Sequence, residues 1–326
     1  MLVALAVSVF CEKHPKFVWQ QCTKGGCSDV SGYLVHDRHI GDVWDRENTD
    51  YPELDYDANV GVTVSADGKT LSQRLVSKLW DDKKAVGSRV YIVDTTDKKY
   101  QLFQFVGKEF TYTVDMSQIP CGVNAALYTV EMPAEGKSPG GVEYGYGYCD
   151  ANCVDGGCCM EFDIQEASSK AIVYTTHSCQ SQTGGCDTSG CGYNPYRDSN
   201  DHAFWGQTIN VNQPVTIVTQ FVGSGGSLTE VKRLYVQGGK VTPAAKSLSD
   251  SYCNVNDYRS LKTIGASFQR GHVVVFSLWD SDGMSWMDGG NAGPCTSYNV
   301  ATVESSQPNL KVTWSNVKFG DIDSTY

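Results

Sequence analysis

From residue 60 onward the chain is paced by short runs of β-branched and aromatic residues, each closed by a turn former. Val60-Gly61-Val62-Thr63-Val64 runs into Asp67-Gly68, and Val90-Tyr91-Ile92-Val93 follows. Leu102 to Val106 and Phe110 to Val114 alternate with period two across Gly107. Ala171–Tyr174, Pro214–Phe221, His272–Leu278 and Lys311–Phe319 continue the series, the last with Val312, Trp314, Asn316 and Lys318 on one side of the pleat. Only Ala244–Ser249 and Asp257–Ile264 read as short helices. Many short strands with glycine-rich turns predict an all-β chain folded as a β-sandwich or jelly roll. Upstream, residues 17–35 open on Phe17-Val18-Trp19 and a short Cys22–Cys27 loop, and the polar, acidic residues 36–58 read as loop. No fixed-period repeat and no Ser/Thr/Pro-rich linker interrupts the 326 residues, so residues 12–326 are expected to form a single domain.

Thirteen cysteines bear on the compartment. Met1 to Cys11 is apolar and uncharged and reads as a signal peptide, ending near Val9-Phe10-Cys11. Its removal leaves twelve cysteines, an even number suited to up to six disulfides and a secretory route. The product is expected outside the cell or in a digestive vacuole. Zinc is the competing reading, weakened because no closely spaced cysteine pair is followed by a matching histidine pair. No Asn-x-Ser/Thr sequon occurs, so N-glycans are not expected. A net charge of −11 argues against nucleic acid or an anionic membrane as partner, but not against a neutral polysaccharide. No apolar run is long enough to cross a bilayer as a helix.

The chemistry concentrates in Cys158-Cys159-Met160-Glu161-Phe162-Asp163-Ile164-Gln165-Glu166. On a strand, Glu161 and Asp163 share a face. Glu166 has the wrong parity and joins them only if a bulge falls near Ile164-Gln165. Three crowded acids would raise at least one pKa and leave one carboxyl protonated beside one ionised near neutral pH. Glycosidic bond cleavage needs that division. The same pattern is compatible with an acidic, solvated strand edge. Cys158 and Cys159 point apart and need different partners, and Cys149 and Cys153 lie close enough upstream to supply both and clamp the chain entering the strand.

Several segments together resemble the family-seven glycoside hydrolases, cellulases of fungi and some protists. Cys121-Gly122-Val123-Asn124-Ala125-Ala126-Leu127-Tyr128 is similar to the family's CGxNGALY, Tyr146 to Cys153 to its GxGYCDxQC, and Glu161 to Ser169 to EMDIxEANS. Thr175 to Cys179 resembles TPHxC, and Gly190 to Arg197 resembles GCxxNPYR. Ser277 to Asp280 and Trp286-Met287-Asp288 resemble SLWD and WLD, and Ser315 to Ile322 the closing strand. The resemblance implies a concanavalin-like sandwich with a long open cleft, and retaining hydrolysis of internal β-1,4-glucan bonds without cofactor or metal. It implies Glu161 as nucleophile, Glu166 as acid/base and Asp163 as support, with Asp150 and His177 beside them. It implies sugar contacts from Asn124, Tyr128 and Tyr148 on the nonreducing side, stacking on Trp279 and Trp286, and Arg197 on the leaving side. It also implies the bridges Cys22–Cys27, Cys121–Cys295, Cys149–Cys159, Cys153–Cys158, Cys179–Cys186 and Cys191–Cys253. Apart from the resemblance, any one of these tryptophans suits core packing and His177 suits a structural hydrogen bond.

Departures from the family point to the subtype. Only four residues separate Cys153 from Cys158, where the processive cellobiohydrolases carry a long tunnel-roofing loop. Asp288 to Cys295 is short and lacks the arginine those enzymes use there, and residues 36–58 lack a cysteine-rich loop. Gln165, Ser168 and Asn152 stand where the family has Trp or Leu, Asn and Gln. The expectation is a monomeric endo-β-1,4-glucanase acting on a β-glucan. A β-1,3 or mixed-linkage glucanase and a noncatalytic glycan-binding sandwich are the alternatives.

Overall fold

The computed structural model describes residues 12–38, 54–79, 83–137 and 140–326. The expected leader at 1–11 and most of the expected loop at 36–58 lie outside them. The first half of the chain supplies β1 (Lys16–Thr23), β2 (Gly26–His36), α1 (Tyr56–Val60), β3 (Val62–Val64), β4 (Thr70–Arg74), β5 (Val76–Lys78), β6 (Lys84–Val86), β7 (Ser88–Val93), β8 (Leu102–Phe103), β9 (Lys108–Asp115) and β10 (Val123–Val130). The second half begins with β11 (Glu161–Ala167), β12 (Ile172–His177), β13 (Cys179–Ser181), β14 (Gly184–Cys186), β15 (Cys191–Tyr193) and α2 (Pro195–Asp198). It ends with β16 (Val215–Ser224), β17 (Ser227–Gln237), β18 (Lys240–Pro243), α3 (Asp250–Cys253), α4 (Leu261–Arg270), β19 (His272–Asp280), α5 (Ser285–Asp288), α6 (Val300–Ser306) and β20 (Lys311–Asp321).

One hydrogen-bonded ladder runs β15-β12-β11-β10-β19-β7-β2-β1-β20-β9-β16-β17-β18 and folds over on itself. Inward side chains of its two halves meet in a single apolar layer. Phe162 on β11 lies 5.2 Å from Phe221 on β16, and Phe276 on β19 lies 5.5 Å from Trp314 on β20, measured between ring centroids. This is the β-sandwich that alternating strands imply. A smaller cluster, including Tyr91, Tyr128, Val130, Tyr148 and Val275, covers part of the opposite face of β7, β10 and β19.

Local departures from the sequence reading have identifiable causes. Val60 ends α1 rather than opening a strand, because Gly61 takes φ 67° and stops the helix. Of Leu102–Val106 only β8 is strand, since Lys108 N–H donates to Phe105 O (2.9 Å) and the chain turns at Gly107. Ala244–Ser249 is not a helix. Leu248 is fully buried and exchanges backbone bonds of 2.9 and 3.0 Å with Val231, so that stretch is an extended bridge. The helix starts one residue later, where Ser249 Oγ accepts from Tyr252 N–H (3.1 Å). Within Asp257–Ile264, Asp257 O accepts from Ser260 N–H in a turn, so α4 begins at Leu261 and continues to Arg270. On β20 the register shifts between Ser315 and Lys318, with Asn316 at φ 50°. Val312 and Trp314 point inward, but beyond the shift Val317 and Phe319 do, leaving Asn316 exposed.

Six disulfides join Cys22–Cys27, Cys121–Cys295, Cys149–Cys159, Cys153–Cys158, Cys179–Cys186 and Cys191–Cys253. They differ widely in the chain they close, from 5 residues for Cys153–Cys158 to 174 for Cys121–Cys295. By loop-closure entropy, replacing both cysteines with alanine is expected to cost about 5 kcal/mol for the long span and about 2 kcal/mol for the short one. Denaturant titration of the two double variants measures this, and equal losses would rule out unfolded-chain entropy as the source.

Candidate active site

Strand β11 sets the site. Its pairing with β12 passes from Asp163↔Thr175 to Glu166↔Val173, three residues against two. Its pairing with β10 shows the same extra residue, from Tyr128↔Asp163 to Leu127↔Gln165. This bulge at Ile164-Gln165 resets the alternation. Phe162, Ile164 and Ala167 enter the core, and Glu161, Asp163 and Glu166 together border one cleft on the other face. Gln165 is fully buried, accepts from the Tyr112 hydroxyl (3.0 Å) and donates to Ala125 O (3.0 Å).

Two of the disulfides hold the chain in front of β11. Cys149–Cys159 and Cys153–Cys158 bracket a tight loop in which Asp150 N–H donates to Gly157 O and Cys159 N–H to Asp150 O. The loop presents the Ala151 N–H to Glu161 Oε2 at 2.8 Å. Asp150 faces the loop, accepting from Val154 N–H and from the Tyr148 hydroxyl, each at 3.0 Å. Tyr148 and Tyr128 hydroxyls are 2.9 Å apart. Asn124 Nδ2 donates to Glu166 Oε1 (3.0 Å), while its Oδ1 accepts from Ala167 N–H (3.1 Å), which orients the amide.

His177 lies opposite Asp163, with Nε2 3.0 Å from Oδ2, and its Nδ1 donates to Asp187 O at 2.8 Å. Burial disfavours the imidazolium, but the hydrogen bond and charge of Asp163, with Glu161 behind it, outweigh burial and raise its pKa to about 10. His177 is therefore cationic at neutral pH. Burial, then the charge of Asp163, raises the Glu166 pKa to about 8, against opposition from His177 and the Asn124 amide. Burial and Asp163 also push Glu161 upward, while His177 and the Ala151 N–H favour its anion. The acids thus retain a proton at neutral pH, which Glu166 is able to donate.

The cleft has a volume of about 810 Å³ and is bordered by both halves of the expected site. Trp279 and Trp286 border it, Trp286 with 46% of its surface exposed. Arg197 lies at its rim, held by a two-point contact to Asp198 (2.9 and 3.0 Å) and by Gly192 O. Asn194 joins this rim to the tryptophan: it caps α2 through Tyr196 N–H and donates to Met287 O and Ala292 O. Asn124, Tyr128, Tyr148 and Asp150 are each more than nine-tenths buried, and Asn124 reaches the cleft acids directly through its amide on Glu166. Sequence reasoning missed the Ala151 amide, whose identity carries no side-chain signal. It also missed Thr175, Thr188 and Tyr252, which border the cleft. It missed the bonds that Ser168 Oγ (2.8 Å) and the Tyr298 hydroxyl (2.9 Å) donate to Asp288.

These acids lower stability in alkali. Glu166 titrates near 8 when folded and near the ordinary ~4.3 when unfolded, so the folded state binds the proton more tightly between those values. His177 adds stability that is complete below its ordinary ~6.5 and is lost as pH rises through 10. Both effects weaken the fold as pH rises. Glu166→Gln is expected to melt several degrees above wild type at pH 8 and at the same temperature near pH 4. Calorimetry at the two pH values checks this, and an equal difference at both would contradict it.

Comparisons with known proteins agree on one family. The glycosyl hydrolase family 7 model matches residues 47–156 and 154–326. The probable endo-β-1,4-glucanase celB of Neosartorya fischeri is 35% identical over 394 residues, covering 100% of this chain and 96% of that protein. Endoglucanase I complexed with cellobiose superposes with a TM-score of 0.85 and 31% identity, covering 97% of this chain and 98% of the other. A family 7 cellobiohydrolase from Daphnia pulex gives 0.86 at 27% identity over the same shares. With its fold, its paired acids and its whole length accounted for, this chain belongs to glycosyl hydrolase family 7.

Proposed function

We propose that the protein is a retaining endo-β-1,4-glucanase acting on cellulose chains, with residues 12–326 as one catalytic unit. The observation that carries this reading is the convergence of Glu161, Asp163 and Glu166 on one cleft through the β11 bulge. In the first step the Glu161 carboxylate attacks the anomeric carbon while Glu166 gives its proton to the departing glycosidic oxygen. The C–O bond breaks and a glycosyl ester to Glu161 remains. In the second step the Glu166 carboxylate takes a proton from water, the water oxygen attacks the same carbon, and Glu161 departs. Asp163 and its His177 partner hold the charge balance between the two carboxyls. Trp279 and Trp286 offer stacking faces for pyranose rings, and Arg197 a donor on the leaving side.

Internal cutting is supported by the exposure along the groove. Between Cys153 and Cys158 the chain makes a single 3-10 turn at Val154–Gly156, and Asn152, Trp286 and Arg197 face solvent. A groove bordered this way admits the middle of a chain as readily as its end. Six disulfides suit folding in an oxidising compartment and therefore a secreted enzyme.

Glu161→Gln is expected to abolish hydrolysis of carboxymethylcellulose, by at least ~10⁴-fold, and leave the fold intact. Residual activity within about tenfold of wild type would remove Glu161 from the nucleophile role. On the wild-type enzyme, viscosity is expected to drop steeply before many reducing ends appear. A slow, proportional decline would indicate action from chain ends.

A further inference from the structure

The bulge that aligns the acids has its own buried support, supplied from the opposite half of the sandwich. Arg233 on β17 points inward, opposite Thr219 of β16, and is 2% exposed. Its Nη2 donates a hydrogen bond to the carbonyl of Ile164, the residue at the bulge. The guanidinium rests on the Tyr174 ring, with its central carbon 4.3 Å from the centroid. No carboxylate among the described residues pairs with it. Burying an unpaired cation is costly, so its place in the core calls for an explanation.

A bulge supplies one. The extra residue is left out of the ladder, and a buried backbone carbonyl without a partner costs about 1–3 kcal/mol. A charged donor makes the stronger hydrogen bond to it, and the tyrosine face offsets part of the desolvation. Without that donor, β11 gains by sliding back into regular pairing. A slip of one residue would turn the side chains beyond Ile164 to the other face, Glu166 among them. Glu161 precedes the bulge and is anchored separately by the Ala151 N–H and the two adjacent disulfides.

We propose that Arg233 is a positioning residue for the acid/base, holding Glu166 in the cleft by fixing the Ile164 carbonyl at the β11 bulge. The proposal rests on the glucanase reading above and adds to it a residue that never touches substrate. It predicts an effect on the proton-dependent step alone. Carboxymethylcellulose hydrolysis needs Glu166 as acid. Trapping by 2,4-dinitrophenyl 2-deoxy-2-fluoro-β-cellobioside does not, because dinitrophenolate leaves without a proton and Glu161 alone forms the ester.

The test compares wild type and Arg233→Met, both folded and disulfide-bonded, in these two assays. The expected result is a roughly 100-fold loss of kcat on carboxymethylcellulose, trapping within about threefold of wild type, and an alkaline limb moved to lower pH as Glu166 leaves Asp163. Arg233→Lys offers a single-point donor in place of the planar fork, and is expected to lose about tenfold in kcat with the same selectivity. It also decides the matter if the methionine variant does not fold. Wild-type kcat and pH profile in the folded variants would overturn the proposal, as would losses of equal size in both assays, which mark a general structural role. A wild-type enzyme that neither hydrolyses the polymer nor is trapped would instead refute the glucanase reading.

Discussion

A strand offers its side chains to two faces in turn, and residues five apart fall on opposite faces. Glu161 and Glu166 are such a pair, and a regular β11 would bury one of them in the core. The single extra residue at Ile164-Gln165 prevents this. What lies beyond it depends on that insertion: the place of Glu166 in the shared cleft and, through Asp163, part of its raised pKa. The insertion is also costly, because it frees backbone groups in a dry interior. On the core side Gln165 bonds to Tyr112 and Ala125, and Arg233, lying on the Tyr174 ring, satisfies the Ile164 carbonyl. The core of this sandwich therefore carries polar contacts at the point where the active face needs an irregular strand.

The cleft side shows the complementary arrangement. Three carboxyls crowd one wall, and each is met by a donor from a different element: Ala151 N–H, His177 and Asn124. These donors set direction as well as charge. Two short disulfide spans hold the loop that carries Ala151, and Asn124 is itself fixed by Ala167 N–H. A local loss of stability at neutral pH accompanies the proton kept on Glu166, the proposed acid.

Much of this was legible in the sequence, for physical reasons. Period-two runs with glycine turns gave the strands, and Glu161, Asp163 and Glu166 stated the parity problem together with its solution. Elsewhere the same logic failed where a backbone irregularity left no mark in hydropathy. On β20, Asn316 takes a left-handed conformation and flips the pattern, so Val317 and Phe319 face inward instead of Lys318. Ala244–Ser249 reads as helical in sequence because its bridge, Leu248 to Val231, depends on a partner seventeen residues away. Asn124, Tyr128 and Tyr148 resemble sugar contacts by motif, and in the fold all three are buried, the Asn124 amide on Glu166 and the two tyrosine hydroxyls on each other. Backbone donors such as Ala151 and a cross-core donor such as Arg233 are invisible until the chain is folded.

The arrangement of the acids around the bulge has a stereochemical consequence. With Glu161 as the proposed nucleophile and Glu166 as the proposed acid/base, hydrolysis runs by two displacements, and two inversions restore the starting configuration. Proton NMR of a soluble cello-oligosaccharide digest, recorded before mutarotation, reads the anomer first released. The β-anomer is the predicted first product. The α-anomer would mean a single displacement by water and would contradict the role given to Glu161.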